Sequence, residues 1–297
     1  MPGTTRIRVV PSTGSLGALL ERCTFPPAGA QLACAVSGGA DSLALLVLAV
    51  AARCDVTAHH VDHGLRPGSA AEAAVVEEAA AGLGARFVAH KAAVGPGPNL
   101  EARARHARRA LLPPGVATGH TADDQAETVV LNLLRGAGVD GLAGMRPGPE
   151  KPLLALRRSE TEGVCAEAGL VPVRDPSNDD PAFRRNRVRH QVLPLLRDVA
   201  GRDVVPVLAR QAALLRDEAD LLDDLAAGVD PCDARALAAL PAAVARRAVR
   251  RLLGGDHPPG SASVERVLAV ARGEAAACEV EGGRRVRRSA GRLSVEG

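Results

Sequence analysis

The sequence predicts an α/β fold: a parallel sheet covered by helices, followed by a smaller, mainly helical domain with a C-terminal hairpin. Three observations carry this. Short apolar runs alternate with helix-patterned segments between Gln31 and Leu134, the grammar of a parallel sheet with helical crossovers. The unusual polar residues fall just after the strand-like runs, in SGGADS, DHGLR and GHTADD, where open parallel sheets bind ligands. After about Arg197 the texture changes to Ala/Leu/Arg-rich segments. The boundary is placed near residues 195–202, giving domains 1–198 and 199–297.

Each element follows from its residues. Residues 1–29 are punctuated by Gly and Pro, with one short helix over Leu16 to Arg22. Gln31 to Val36 is an apolar run suited to a buried strand. Ser42 to Arg53 follows as a helix, Asp55 to Val61 as a second strand, and Ser69 to Leu83 as an Ala/Glu-rich helix. Ala85 to His90 is a third strand, Asn99 to Leu112 a basic helix, Gly115 to Thr118 a short strand, and Thr121 to Leu134 a further helix. Segments 204–228, 233–253 and 261–272 have helical periodicity. The tail CEVEGGRRVRRSAGRLSVEG alternates around Gly282-Gly283, as a hairpin does.

Composition narrows the class. Hydrophobic residues make up 46% of the 297, enough for a substantial core, but aromatics only 1%. The core is therefore Ala, Val and Leu, and stacking platforms for nucleic-acid bases are excluded. The net charge of +3 decides little alone, yet arginines cluster at 184–189, 246–251 and 284–288. Such clusters either track phosphates or form a solvated face. The six cysteines are widely spread without a CxxC, which suggests neither zinc nor disulfides and fits a reducing compartment. Leu43 to Ala52 is too short an apolar run to span a bilayer. The chain reads as a cytoplasmic protein that uses no membrane.

SGGADS follows a strand and opens a helix. Gly38 and Gly39 let an anion approach the backbone, and the amides of the first helical turn, aided by the helix dipole, favour a phosphate. Ser37 and Ser42 add hydroxyl donors. No Lys follows the glycines, unlike a Walker A loop, which suits a pyrophosphate that leaves intact. Asp41 repels phosphates unless it holds Mg²⁺ or a cationic co-substrate. Gly136, Gly138 and Gly141 match GxGxxG but follow a helix, so the dinucleotide reading fails its context. In ATGHTADDQAETVV, Asp123, Asp124 and Glu127 open a helix beside His120, and Asp124 and Glu127 share a face. Capping is the ordinary use of such acids; a Mg²⁺ site or an amine pocket is the sharper one. His59, His60 and His63 lack a fourth ligand for zinc, and His63 and Arg66 are better placed near a nucleotide. Arg105 and Arg108 share a helix face, for phosphate or for pairing with Glu101. Asp175 to Asp179 form a polar loop before the arginine-rich Arg184 to Arg189.

Together these stretches resemble the N-type ATP pyrophosphatases of the PP-loop superfamily, and more closely the bacterial tRNA(Ile)-lysidine synthase family. SGGxDS, HVDHGLR, E..AR..R, ATGHxxDDxxET, Pro152-Leu153-Leu154 and DxSNxDxxxxRNxxR…LPLL occur in order over about residues 31–196. The resemblance implies an ATP-dependent ligase that joins lysine to the wobble cytidine of the CAU anticodon of tRNA(Ile). ATP first adenylates the cytidine with release of pyrophosphate, and lysine then displaces AMP. By motif, Ser37, Gly38, Gly39, Ala40, Asp41, Ser42, His63, Arg105 or Arg108, and His120 would meet ATP. Asp41, Asp124, Glu127 and Arg187 would hold lysine; Asp41 and Asp123 would meet Mg²⁺; Arg185, Arg189, Arg246, Arg247 and Arg250 would face tRNA. A homodimer is compatible with this. Arg109 stands where the family usually has Tyr, and the chain is expected to work without the further C-terminal domain of longer members. Another PP-loop tRNA-modifying enzyme, a thiolase, is disfavoured by the missing cysteine pair. A non-catalytic tRNA-binding module is disfavoured by the intact Asp41, Asp124 and Glu127.

Overall fold

The computed structural model describes residues 13–62, 69–92, 107, 110–255 and 259–296. The chain divides into two compact units, one running to Ala212 and the other from Ala213 to Gly297. In the first, β1 (Gln31–Ala35), β2 (Asp55–Asp62) and β3 (Arg86–Lys91) lie side by side in that order, all parallel. On the other side of β1, Ala117 bridges to Cys34, also in parallel. The expected fourth strand is reduced to this bridge. Pro113 and Pro114 have no N–H to give a ladder, and Gly115 turns at φ +72°, so too little extended backbone remains. Ala117 still donates to the Ala33 carbonyl and accepts from Ala35 N–H, both at 2.8 Å. Spatial order thus reverses at β1, and the loops after β1 and after Ala117 face one crevice, the switch point where such sheets bind ligands.

Helices α1 (Thr13–Leu20), α2 (Ala40–Ala51), α3 (Ser69–Leu83), α4 (Ala122–Leu134), α5 (Val139–Leu142) and α6 (Arg158–Glu167) belong to this unit. In α2, Ser42 through Ala49 are buried without a break, the signature of a helix enclosed on all sides. Its leucines meet Cys34, Val36, Leu153 and Leu156 in the main core, and small aliphatic residues fill the volume that aromatics do not. Burial pushes the Cys34 thiol up to about 12, so it is a protonated filler rather than a nucleophile. The glycines of the GxGxxG string end α4 and form α5, away from any strand end.

Past Pro176–Asp179, a 3-10 turn, come α7 (Arg184–Arg187), a π-helical turn at Val188–Val192 and α8 (Leu193–Ala200). The division between units falls inside α9 (Val205–Ala227), later than the boundary expected from texture. Val205 and Leu208 pack with Ala126, Val130 and Val188, which ties the start of α9 to the first unit. The second unit holds α10 (Ala234–Ala239), α11 (Ala242–Leu253) and α12 (Ser261–Arg272). Its antiparallel sheet contains β4 (Ala277–Glu279), β5 (Arg285–Ser289) and β6 (Arg292–Glu296). The hairpin expected around Gly282-Gly283 joins β4 to β5, and a turn at Ala290-Gly291 adds β6. Val249, Val267, Leu268 and Val286 form this unit's own core. Among the described residues no helix is long and apolar enough to cross a membrane.

One close approach fixes the crevice. A Cβ on Gly119 would lie 2.4 Å from the backbone oxygen of Asp41, so the two loops touch only because residue 119 has no side chain. Gly119→Ala is expected to destabilise the first unit by about 2 kcal/mol through overpacking. Gly82→Ala, in α3 with nothing near its Cβ position, is expected to stabilise it by about 0.5 kcal/mol. Urea denaturation of both variants measures the contrast.

Candidate functional site

The turn from β1 into α2 is held open by its own side chains. Gly38 takes φ +90°, and a Cβ there would press on Val173 Cγ2 at 3.3 Å, so glycine is needed for conformation and for space. Ser42 donates its hydroxyl to the Gly39 carbonyl at 2.8 Å and accepts from Ser37 N–H at 3.1 Å. The Ser37 and Ser42 hydroxyls lie 3.2 Å apart. Ala40 and Asp41 begin α2, so their N–H groups have no carbonyl a turn behind them. The buried His60 lies with Nδ1 2.9 Å from the Val36 carbonyl and braces the loop from β2. His59 points elsewhere: its Nδ1 meets His90 Nε2 at 2.9 Å, with the rings stacked. Burial and the neighbouring His90 hold His59 below its ordinary value.

Across the crevice, carboxylates and guanidinium groups interleave. Glu127, fully buried, accepts from Arg185 Nε at 2.6 Å, Arg189 Nε at 2.6 Å, Arg189 Nη2 at 3.2 Å and Arg158 Nη2 at 3.4 Å. Asp124 divides its two oxygens. Oδ2 caps α4 by accepting from the Thr121 N–H and hydroxyl at 2.9 and 3.0 Å; Oδ1 accepts from Arg185 at 3.0 Å and Arg158 at 3.3 Å. Burial works to raise the Asp124 carboxyl, but Arg158, Thr121 N–H, Arg185 and His120 outweigh it and hold the group below its ordinary range. Asp41 accepts from the Thr161 hydroxyl and lies 3.5 Å from Arg158 Nε. There burial dominates and raises the carboxyl, against the pull of Thr161 and Arg158. A cavity of about 150 Å³ opens beside the cluster, lined by Asp123, Glu127, Arg157, Arg189, Leu193 and Asp203 among others.

Asp123 has another task. It accepts from Arg157 Nε at 3.0 Å and Nη2 at 3.1 Å, and from Arg158 N–H at 2.8 Å. Arg157 also donates to Asp203. Asp123 thereby pins the start of α6, from which Arg158 reaches the other acids.

Of the residues singled out in the sequence, Asp41, Asp124 and Glu127 come together through Arg158, and His120 lies close enough to Asp124 to act on its charge. Arg187 does not join them: it is exposed, with its guanidinium 3.4 Å from Gln191. Arg185 and Arg189, expected to face tRNA, sit on the carboxylates. Their i, i+4 spacing puts both on one helix face and Arg187 on the other, a signal already present in the sequence. Arg247, another expected tRNA contact, is 7% exposed and paired with Asp223 at 2.6 Å. Arg246 pairs with Glu265 at 2.5 Å, and Arg250 is half-buried. His63, Arg105 and Arg108 lie outside the described residues. Sequence reasoning missed Arg157, Arg158, Thr161 and Gly119. An arginine at the first position of a helix opposes the dipole, so Arg158 carried a sign that negative partners wait nearby.

The Asp123 pair sets a pH dependence. Burial works to raise this carboxyl above its ordinary 3.8, but Arg157 and the Arg158 N–H outweigh it and hold the group lower. Its stabilisation is therefore present above 3.8 and is lost as pH falls through the depressed folded value. Asp123→Asn is expected to cost about 2 kcal/mol at pH 7, with the difference from the parent chain shrinking toward zero near pH 2. Chemical denaturation at both pH values checks this.

Comparison with known proteins places this geometry. Residues 15–196 match the PP-loop domain family. The chain is 46% identical over 247 residues to the tRNA(Ile)-lysidine synthase of Nocardia farcinica, covering 77% of each protein. It is 41% identical over 271 residues to that of Thermobifida fusca, covering 83% of this chain and 84% of the relative. Among solved structures, the U34-tRNA thiolase NcsA from Methanococcus maripaludis, determined with its [4Fe-4S] cluster, superposes with a TM-score of 0.53 at 18% identity, over 68% of this chain and 77% of that one; this likeness concerns the fold alone. With a phosphate-type loop, a paired-acid helix and curated relatives aligned over most of its length, the chain belongs to the tRNA(Ile)-lysidine synthase family of PP-loop ligases.

Proposed function

We propose that this enzyme uses ATP to join the ε-amine of free L-lysine to the wobble cytidine of a tRNA(Ile) with a CAU anticodon, in the cytoplasm. The observation that carries it is the buried acid pair Asp124 and Glu127, held one crevice away from the Ser37–Ser42 loop. ATP supplies the activating group: the cytidine 2-oxygen takes the adenylyl moiety and pyrophosphate leaves. The Gly38-Gly39 turn and the first amides of α2 cradle the departing phosphates. The lysine nitrogen then bonds to C2 while the C2–O bond to AMP breaks. Free lysine is an ammonium with a pKa of roughly 10.4, so the acids first bind the cation, and a carboxylate takes the proton given up on attack.

Mg²⁺ prefers a carboxylate or two together with phosphate oxygens and water. Asp41, on the first turn of α2 and partly exposed, fits that donor set through Oδ2, whose contact to Arg158 Nε is long at 3.5 Å. Asp123 does not, since Arg157 and Arg158 N–H occupy both its oxygens. When bound, the ion offsets phosphate charge. The thiolase reading gains no support from the cysteines. Burial raises the thiols of Cys23, Cys34 and Cys165 to about 12, which keeps these three protonated near neutral pH.

The assay combines the purified chain, ATP, Mg²⁺, radiolabelled lysine and the CAU tRNA(Ile). Glu127→Gln and Asp124→Asn are each expected to lower label transfer by at least about 100-fold while ATP binding is largely kept. Transfer at the parent rate in both variants would overturn the acid-pair assignment. Absence of label with the folded parent chain would overturn the function.

A further inference from the structure

We infer that Arg158 couples the two halves of the site: an anion at the Ser37–Ser42 loop draws its guanidinium off Asp124 and Glu127, and only then can the substrate ammonium dock on them. The inference rests on ATP and lysine being the substrates.

The acids are saturated as they stand. A carboxylate offers about four acceptor positions. Glu127 uses them on Arg185, Arg158 and twice on Arg189. Asp124 uses two on Thr121 and one each on Arg185 and Arg158. An ammonium group cannot reach either acid until a guanidinium gives way. Charge says the same. Asp41, Asp124 and Glu127 balance Arg158, Arg185 and Arg189, so an added ammonium leaves one uncompensated positive charge beside a fully buried carboxylate, a costly arrangement.

Arg158 is the group that yields. It alone of the three arginines touches all three acids, and none of its contacts is short, running from 3.3 to 3.5 Å, whereas Arg185 and Arg189 are each anchored on Glu127 at 2.6 Å. Its departure opens one position on each acid. Its backbone is pinned by Asp123 at 2.8 Å, so the side chain can swing from a fixed base. It already bridges toward the phosphate loop through Asp41, on the first turn of α2. Arg185 is tied further by the Asp124 carbonyl at 3.4 Å. Coupling of this kind is reciprocal: whatever factor the nucleotide adds to lysine affinity, lysine adds to nucleotide affinity.

The test is equilibrium dialysis of radiolabelled lysine against the full chain with Mg²⁺, without and with α,β-methylene-ATP, whose pyrophosphate cannot leave. Lysine is expected to bind about tenfold more tightly with the analogue. In Arg158→Gln that ratio is expected to fall below about 2, with lysine binding the nucleotide-free variant more tightly than the nucleotide-free parent. Arg158→Lys keeps the charge but lacks a fork that bridges three acids; it guards against misfolding of the first variant and is expected to cut the ratio at least about threefold. A ratio near one in the parent, or an unchanged ratio in both variants, overturns the coupling and leaves lysine as the substrate. No lysine retained by the parent under either condition, with the analogue bound, overturns the lysine reading and the coupling with it.

Discussion

The first unit is organised around a charge that cannot be left alone. Glu127 is fully buried, and an isolated carboxylate in that position would be prohibitively expensive. It persists because guanidinium groups arrive from two separate stretches of chain, Arg158 at the start of α6 and Arg185 and Arg189 on the helical run from α7 into the π-turn. Satisfying one acid thus fixes where three helical elements meet. The same cluster draws in Asp124, whose second oxygen caps α4, so helix termination and site electrostatics share one side chain.

This arrangement is poised rather than optimised for stability. Buried ion clusters rarely stabilise more than well-packed apolar residues would. A chain that fills its core with Ala, Val and Leu had that alternative available. Retaining three acids against three arginines is what the proposed exchange of a cation and a polyanion at this site requires. Asp41, whose carboxyl burial raises above its ordinary value, sits between the halves. The Gly119 contact with Asp41 keeps the halves close enough for one arginine side chain to span them.

Much of the fold was legible in the sequence because it depends on local periodicity. The strand runs at β1, β2 and β3, the α3 helix at Ser69–Leu83 and the α4 helix at Ala122–Leu134 each announce themselves by apolar spacing and flanking polar residues. The strand at 115–118 was overcalled because apolar character says nothing of how many neighbours a segment finds. Texture alone does not show that Val205 and Leu208 face Ala126 and Val130.

The sequence by itself determined which acids come together and which turn opens α2: SGGADS and GHTADDQAET are contiguous, and helix geometry alone puts Asp124 beside Glu127. Only the tertiary structure decided which arginines serve them. Arg158 lies 31 residues from Glu127, and Arg185 and Arg189 lie 58 and 62 away. Spacing along the helix separates Arg185 and Arg189 from Arg187, which faces solvent, but it does not say which acids they meet, nor that Arg247 is spent on Asp223. The physical reason is that electrostatic pairing acts through space after the chain has folded, while sequence pattern reports only neighbours along it.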